Sequence, residues 1–346
     1  SKNPTPKVIE ASEATVIRVK KAFEIASCSF FFGGLWEFRR QVEWADIVHY
    51  HFPWPFADLI HTLVGKRRPS IVTYHSDIVR QQFLLKLYRP LMRRFLRSVS
   101  RIVATSPNYY ATSDVLSSFS DKVDVIPIGI EEKSYPCMVS KPETLQQVKA
   151  DYGQGFFLFV GVLRYYKGLH ILLDAIKDAN YRVVIVGSGP VEEELRVQAK
   201  EMNLGNVTFC GYVSDETKMA LFQLCRGVVF PSYLRAEAFG VTLLEGAMSA
   251  KPLISAEIGS GTTHVNIDEK TGVVVTPGCP KSLRAAMDKL YYNPVEAKLM
   301  GEQARRRYEE LFTGAVMGAG YNRVYREVYM AHPARDAVAI GDAGNP

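Results

Sequence analysis

Short runs rich in Val, Ile and Phe alternate with amphipathic stretches along nearly the whole chain, the rhythm of βα units that build parallel sheets. In the N-terminal half the apolar runs predict strands over residues 46–51, 70–75, 101–105 and 122–127. In the C-terminal half they predict strands over 156–161, 182–187, 206–210, 227–231, 252–256 and 271–275. Two sheets fit this set better than one. Residues 129–155 carry Glu131-Glu132-Lys133, two prolines and no strong strand, so the inter-domain linker is expected near 130–142. After Pro294 a charged helical pattern runs to Phe312, another helix is expected over 321–329, and the small, polar tail over 332–346 is expected to fray.

Composition narrows the class. With 346 residues, 47% hydrophobic and 23% charged, the chain suits two globular domains, each with its own core. No apolar run approaches the ~20 residues needed to span a bilayer, and no secretory pattern opens the sequence, so a cytoplasmic location is expected. Cys28, Cys137, Cys210, Cys225 and Cys279 are scattered, odd in number and without Cys-x-x-Cys spacing, which argues against a disulfide framework and a zinc site. The net charge of +6 is modest, but seven cations and no acid fall between Arg80 and Arg101. Leucines and phenylalanines interleave with these cations at helical spacing. Arg89, Arg93 and Arg97 then share one face with Arg94 beside it, a surface suited to anionic lipid headgroups or to plain solvent exposure. No nucleic-acid motif accompanies the charge.

Glu237 and Glu245 lie eight positions apart, across what reads as the passage from a loop into a helix. Backbone N–H groups of Phe239, Gly240, Val241 and Thr242 at such a helix start favour an anion, for example a diphosphate. Glu237 can then accept hydrogen bonds from sugar hydroxyls, and Glu245, about two turns in, from a second polyol such as a ribose. The same pattern also suits a dipole-complementing Glu237 and a solvated Glu245. Arg164 and Lys167 follow a predicted strand at the carboxyl edge of a parallel sheet, where ligands bind in open α/β folds. The sequence has no Asp-x-Asp triplet to hold a divalent metal, so these cations and the helix start are expected to stabilise a departing diphosphate without metal or other cofactor. His49 and His51 share a strand face, a weak metal pair without a carboxylate or cysteine nearby. Gly187-Ser-Gly189 reads as strand-to-helix turning rather than a nicotinamide site.

The segment from Glu237 to Glu245 resembles the Glu-x7-Glu signature of the retaining nucleotide-sugar glycosyltransferases of family 4. Further matches follow in family order: Ala45-Asp-Ile-Val-His-Tyr-His-Phe-Pro53, Val72-Thr-Tyr-His-Ser-Asp77, Arg101-Ile-Val-Ala-Thr-Ser-Pro107, Val125-Ile-Pro-Ile-Gly129, Phe159-Val-Gly-Val-Leu-Arg-Tyr-Tyr-Lys-Gly168 and Ile254-Ser-Ala-Glu-Ile-Gly-Ser-Gly-Thr262. The resemblance implies an α/β GT-B fold, two Rossmann-like domains facing a central cleft. It implies an acceptor-side domain over 1–135, a nucleotide-sugar domain over 136–312 and a crossover helix with tail over 313–346. His75 would hydrogen-bond the donor sugar, Gly259, Ser260 and Gly261 would approach the donor closely, and His51 would face the acceptor. The Gly259 loop most resembles transferases using GDP-mannose or a derived GDP-deoxyhexose. Transfer to a polyprenyl-diphosphate-linked saccharide on the inner membrane face, in O-antigen or exopolysaccharide assembly, is the implied reaction.

Two departures from the family stand out. Residues 1–40 lack the opening strand and Gly-Gly loop, since Gly33-Gly34 comes late and reads as a turn, and Val162 stands where many relatives have Arg. Without an initiating Met, the true N-terminus is expected to precede Ser1; otherwise part of the first Rossmann-like unit is missing. The missing loop keeps open a catalytically silent nucleotide-sugar or lipid-glycan binding protein, and the fold keeps open a nucleotide-sugar epimerase.

Overall fold

A computed structural model describes residues 4–11, 13–25, 28–31, 34–78, 82–136 and 141–332. Gly33, Arg80, Cys137, part of the expected linker and nearly all of the tail fall outside these. By internal packing the chain forms two units. Unit 1 takes in the described residues of Ser1–Ala104, Asp114–Asp124 and Tyr321–Pro346, and unit 2 those of Thr105–Ser113 and Val125–Gly320.

Unit 1 opens with two antiparallel ribbons absent from the sequence reading, β1 (Val8–Glu10) with β2 (Thr15–Ile17) and β3 (Phe23–Ile25) with β4 (Cys28–Phe30). Three-residue strands carry too short a period to be recognised in advance. Gly34 then leads directly into helix α1 (Leu35–Trp44). Beyond it, β5 (Val48–Phe52), β6 (Ser70–Tyr74), β7 (Arg101–Ala104) and β8 (Val123–Val125) form a sheet in that order. The β5–β6 and β6–β7 pairs are parallel, with Val48 opposite Ser70 and Ile71 opposite Arg101. Helices α2 (Pro55–Leu63) and α3 (Gln82–Ser98) make the crossovers. In α3, Met92, Phe95, Leu96 and Val99, just past its end, are buried at the i, i+3, i+4, i+7 spacing of one apolar stripe.

Two short helices follow, α4 (Pro107–Thr112) and α5 (Asp114–Ser117), and then α6 (Pro142–Tyr152). The six-stranded sheet of unit 2 comprises β9 (Phe157–Val160), β10 (Val183–Val186), β11 (Val207–Gly211), β12 (Gly227–Phe230), β13 (Leu253–Ala256) and β14 (Gly272–Val275). Every pairing in it is parallel. Its helices are α7 (Leu169–Ala175), α8 (Glu192–Glu201), α9 (Asp215–Leu224), α10 (Val241–Met248), α11 (Thr262–Val265), α12 (Pro280–Tyr292) and α13 (Pro294–Leu311). The last helix, α14 (Gly314–Ala331), passes from unit 2 into unit 1 at Tyr321.

Side chains of β9 alternate between two cores: Phe157 and Phe159 pack on one face, Leu158 and Val160 on the other. A sheet buried on both faces reads as a continuous apolar run. Each such fully buried side chain contributes roughly 1.5–3 kcal/mol of hydrophobic stabilisation, so these runs dominate the choice of strand. The ten strands expected from the apolar runs all exist, trimmed or shifted by one or two residues. A Cβ on Gly187 would lie 2.1 Å from the Gly161 carbonyl oxygen, so that glycine lets two strand ends approach, which is a structural use. The described cysteines, Cys28, Cys210, Cys225 and Cys279, are free.

Candidate active site

Strand order in unit 2 is β11-β10-β9-β12-β13-β14, so the chain's direction of travel reverses between β9 and β12. Ligands of open α/β sheets bind at that switch point, outside the carboxyl ends of the strands. The loop after β9 carries Arg164 and Lys167, and the loop after β12 carries Glu237. Gly168 closes the first loop in a left-handed conformation with φ of 71°, and a Cβ there would lie 2.1 Å from the Pro231 carbonyl oxygen. This close approach draws Lys167 onto the second loop.

There the Lys167 ammonium forms an ion pair with Glu237 Oε2 and lies 4.6 Å from the ring centroid of Phe230. Ser232 Oγ donates to the same carboxylate oxygen at 3.2 Å. Glu237 is only 8% exposed, whereas Arg164 is exposed. Lys167 is therefore engaged before any anion arrives, and Arg164 is the available cation of the pair.

Helix α10 begins at Val241, with Gly240 as its N-cap and Phe239 buried behind it. Thr242 Oγ1 donates to the Val160 carbonyl at 3.0 Å, tying the helix start to the end of β9. The first N–H groups of a helix generally lack an intrahelical partner, although in α10 Leu243 N–H already donates to the Gly240 carbonyl at 2.9 Å. Glu245 is the fifth residue of α10, a little over one turn in rather than two. It is 7% exposed, and its Oε1 lies 3.0 Å from Lys218 Nζ. Neither signature glutamate is a solvated surface residue.

The loop Gly259–Ser260–Gly261 packs on the same segment. Gly261 N–H donates to the Ala238 carbonyl at 2.9 Å, and the Gly259 carbonyl accepts from Arg235 Nη1 at 2.6 Å and Thr112 Oγ1 at 2.7 Å. Ser260 is fully buried, its hydroxyl 3.3 Å from that of Thr262, and Gly261 is buried too, so within this loop only Gly259 is partly exposed. Ser232, Lys218, Tyr135 and Arg235 were not singled out from sequence. Lys218 stands three residues after Asp215 at a helix start, and Ser232 and Arg235 lie within five residues of Glu237, so these three carry a local signal. Tyr135, which faces Glu245 and Lys218, is joined to the site only by folding.

In unit 1, His51 Nδ1 and His75 Nε2 are 2.8 Å apart, with the rings stacked at 5.1 Å. His49 spends both ring nitrogens, one on Tyr325 OH at 2.5 Å and one on Thr73 Oγ1 at 2.8 Å, and so is not placed to bind a metal with His51. Burial, with a smaller contribution from His51, lowers the His75 pKa to about 4. Burial followed by His51 and His75 does the same to His49, and burial lowers His51. Neutral imidazoles suit hydrogen bonds to uncharged hydroxyls rather than ion pairs. Arg89, Arg93, Arg94 and Arg97 are all exposed along α3. Among the described residues, no group of three or more His, Cys, Asp or Glu is arranged to hold a metal, and no helix is long and apolar enough to cross a membrane.

The chain resembles known proteins over most of its length. The family model for glycosyl transferases group 1 matches residues 140–307, and that for glycosyltransferase family 4 matches residues 3–133. The D-rhamnosyltransferase WbpZ of Pseudomonas aeruginosa is 53% identical over 90% of this chain and 82% of its own length. The O-antigen chain mannosyltransferase C of Escherichia coli is 49% identical over 90% of this chain and 83% of its own. Among solved structures, sucrose-phosphate synthase from Thermosynechococcus elongatus gives a TM-score of 0.77 at 22% identity, covering 94% of this chain and 86% of that one. The Anabaena protein Alr3699/HepE, solved with UDP and glucose, gives 0.72 at 19% identity, covering 84% and 80%. At such identities the likeness speaks to fold alone. The sequence matches go further: this chain is a glycosyltransferase of family 4, and its two parallel-sheet units are the Rossmann-like domains of the GT-B fold.

Proposed function

We propose that the protein transfers mannose or its 6-deoxy relative rhamnose from a GDP-linked donor to a lipid-linked saccharide during O-antigen assembly. The observation that carries this is the pair of buried carboxylates at the switch point of unit 2, each held by a lysine, in a chain about half identical to a mannosyltransferase and a D-rhamnosyltransferase. Those two sugars differ only at C6, so a site built for one needs little change for the other.

In this reading Glu237 accepts hydrogen bonds from the sugar and Glu245 from the nucleotide ribose, while the start of α10 receives the diphosphate. Arg164 and Lys167 stabilise the negative charge that grows on the leaving diphosphate, and the acceptor hydroxyl attacks the face from which it departs. Stabilising that charge is the largest catalytic effect, and no divalent metal is assigned to it. The polyprenyl-diphosphate carrier of the acceptor would lie in the inner leaflet of the cell membrane. The exposed arginines of α3 are suited to holding a peripheral enzyme there.

Thermal unfolding with GDP-mannose, GDP-rhamnose, UDP-glucose and ADP-glucose tests the donor, because a ligand selective for the folded state raises Tm. GDP sugars should stabilise the chain selectively. Glu245→Ala should weaken donor binding and Glu237→Ala should mainly lower turnover. Selective stabilisation by UDP or ADP sugars would sink the assignment.

A further inference from the structure

Glu245 does not stand alone on α10. Its Oε1 lies 3.0 Å from Lys218 Nζ, which comes from α9. The Tyr135 hydroxyl donates to the same carboxylate, and the Tyr135 ring centroid lies 5.3 Å from the Lys218 ammonium. Asp215 Oδ1 holds Lys218 from another side at 3.0 Å. Burial works against the Lys218 charge, yet Glu245 and Asp215 together raise its pKa. The ammonium therefore stays charged beside the carboxylate.

An ionised carboxylate offers about four lone-pair directions. Lys218 and Tyr135 occupy one each, which leaves two, the number needed to accept from both hydroxyls of a vicinal diol. A carboxylate only 7% exposed and without these partners would be costly to keep charged and free to rotate. Both partners come from outside α10, so they fix the direction in which the remaining lone pairs point.

We propose that Lys218 and Tyr135 are positioning residues that aim Glu245 at the cis-diol of a ribose, making the site selective for ribonucleotide donors over deoxyribonucleotide ones. This rests on the reading of Glu245 as the ribose-binding group. GDP and 2′,3′-dideoxy-GDP, titrated calorimetrically, separate the two claims. Tyr135→Phe removes one hydroxyl with little change of shape, Lys218→Met removes the charge, and Lys218→Arg restores it.

Tyr135→Phe and Lys218→Met should each raise the Kd for GDP about tenfold, the scale of one charge-assisted hydrogen bond, and leave the Kd for the dideoxy nucleotide unchanged. Lys218→Arg should recover most of the GDP affinity. If either of the first two variants weakens both nucleotides equally, or neither, the positioning role is wrong. Glu245→Ala is the control for the underlying reading. Should it weaken both nucleotides equally, or neither, the ribose assignment falls; should it weaken GDP alone while Lys218→Met and Tyr135→Phe do not, only the positioning role falls.

Discussion

His51 Nδ1 and His75 Nε2 share a hydrogen bond of 2.8 Å across adjacent parallel strands, so one ring donates and the other accepts. Protonating both would set two like charges in contact. His75 should therefore remain neutral through the physiological range and titrate at about 4, chiefly from burial and secondarily from His51. In His51→Ala, the His75 midpoint followed by imidazole NMR should rise, but only part of the way to 6.5, because burial persists. An unchanged midpoint would mean that the two rings are not coupled.

Lys167 and Glu237 should behave as one unit. Lys167→Ala and Arg164→Ala should each cost about 2–4 kcal/mol of transition-state stabilisation, read as kcat/KM for the GDP sugar. Because Lys167 contacts Glu237, the Lys167→Ala/Glu237→Ala double variant should fall short of the summed single losses by roughly 0.5–3 kcal/mol. Strict additivity would deny that the ion pair matters. Activity should survive EDTA, and an absolute requirement for added divalent metal would overturn this account of the leaving group.

Replacing Arg89, Arg93, Arg94 and Arg97 with Glu should abolish sedimentation with vesicles containing anionic lipid. Each cation near such a surface contributes on the order of 1 kcal/mol, and the apolar stripe of α3 that anchors the helix is untouched. GDP-sugar binding should be preserved, and high salt should mimic the variant through screening. Wild-type vesicle binding by the quadruple variant would leave α3 as a plain surface helix.

Acid should weaken unit 1 through His61. Its ring is buried between Tyr50 OH at 3.0 Å and Ser98 Oγ at 2.8 Å, and burial lowers its pKa to about 4. Between that value and the unfolded value of 6.5, the unfolded chain holds a proton that the folded chain does not. This contribution to stability is thus present above 6.5 and lost as pH falls towards 4. Asp58, on the same helix, acts in the opposite sense: burial raises its pKa from 3.8 to about 7, despite the Tyr88 hydrogen bond, so it favours the folded state as pH falls. Comparison with His61→Gln isolates the histidine. The variant's stability deficit at pH 7.5 should shrink by on the order of 2 kcal/mol by pH 4.5 in denaturant titrations. A pH-independent deficit would show that the ring does not titrate as described.

The sequence by itself determined the strands of both sheets, most plainly those of unit 2, because strands buried on both faces must be continuous apolar runs, as those around Leu158, Val184 and Val228 are. In unit 1, β5 and β8 are only partly buried. It also placed Glu237 and Glu245 in one local segment about the start of α10, and Arg164 and Lys167 after a strand, but left open whether the two glutamates were solvated; the fold buries both. What holds those groups was decided only by tertiary structure. Lys167 meets Glu237 from 70 residues away, Lys218 meets Glu245 from 27, and His51 meets His75 from 24. Such pairings depend on strand order and on the closeness that Gly168 permits, neither of which has a local periodicity. The early ribbons of unit 1 escaped for the opposite reason: three residues are too few to display a period. Local pattern fixes which segments become strands and helices, whereas the partner of a buried charge is set by which segments folding brings together.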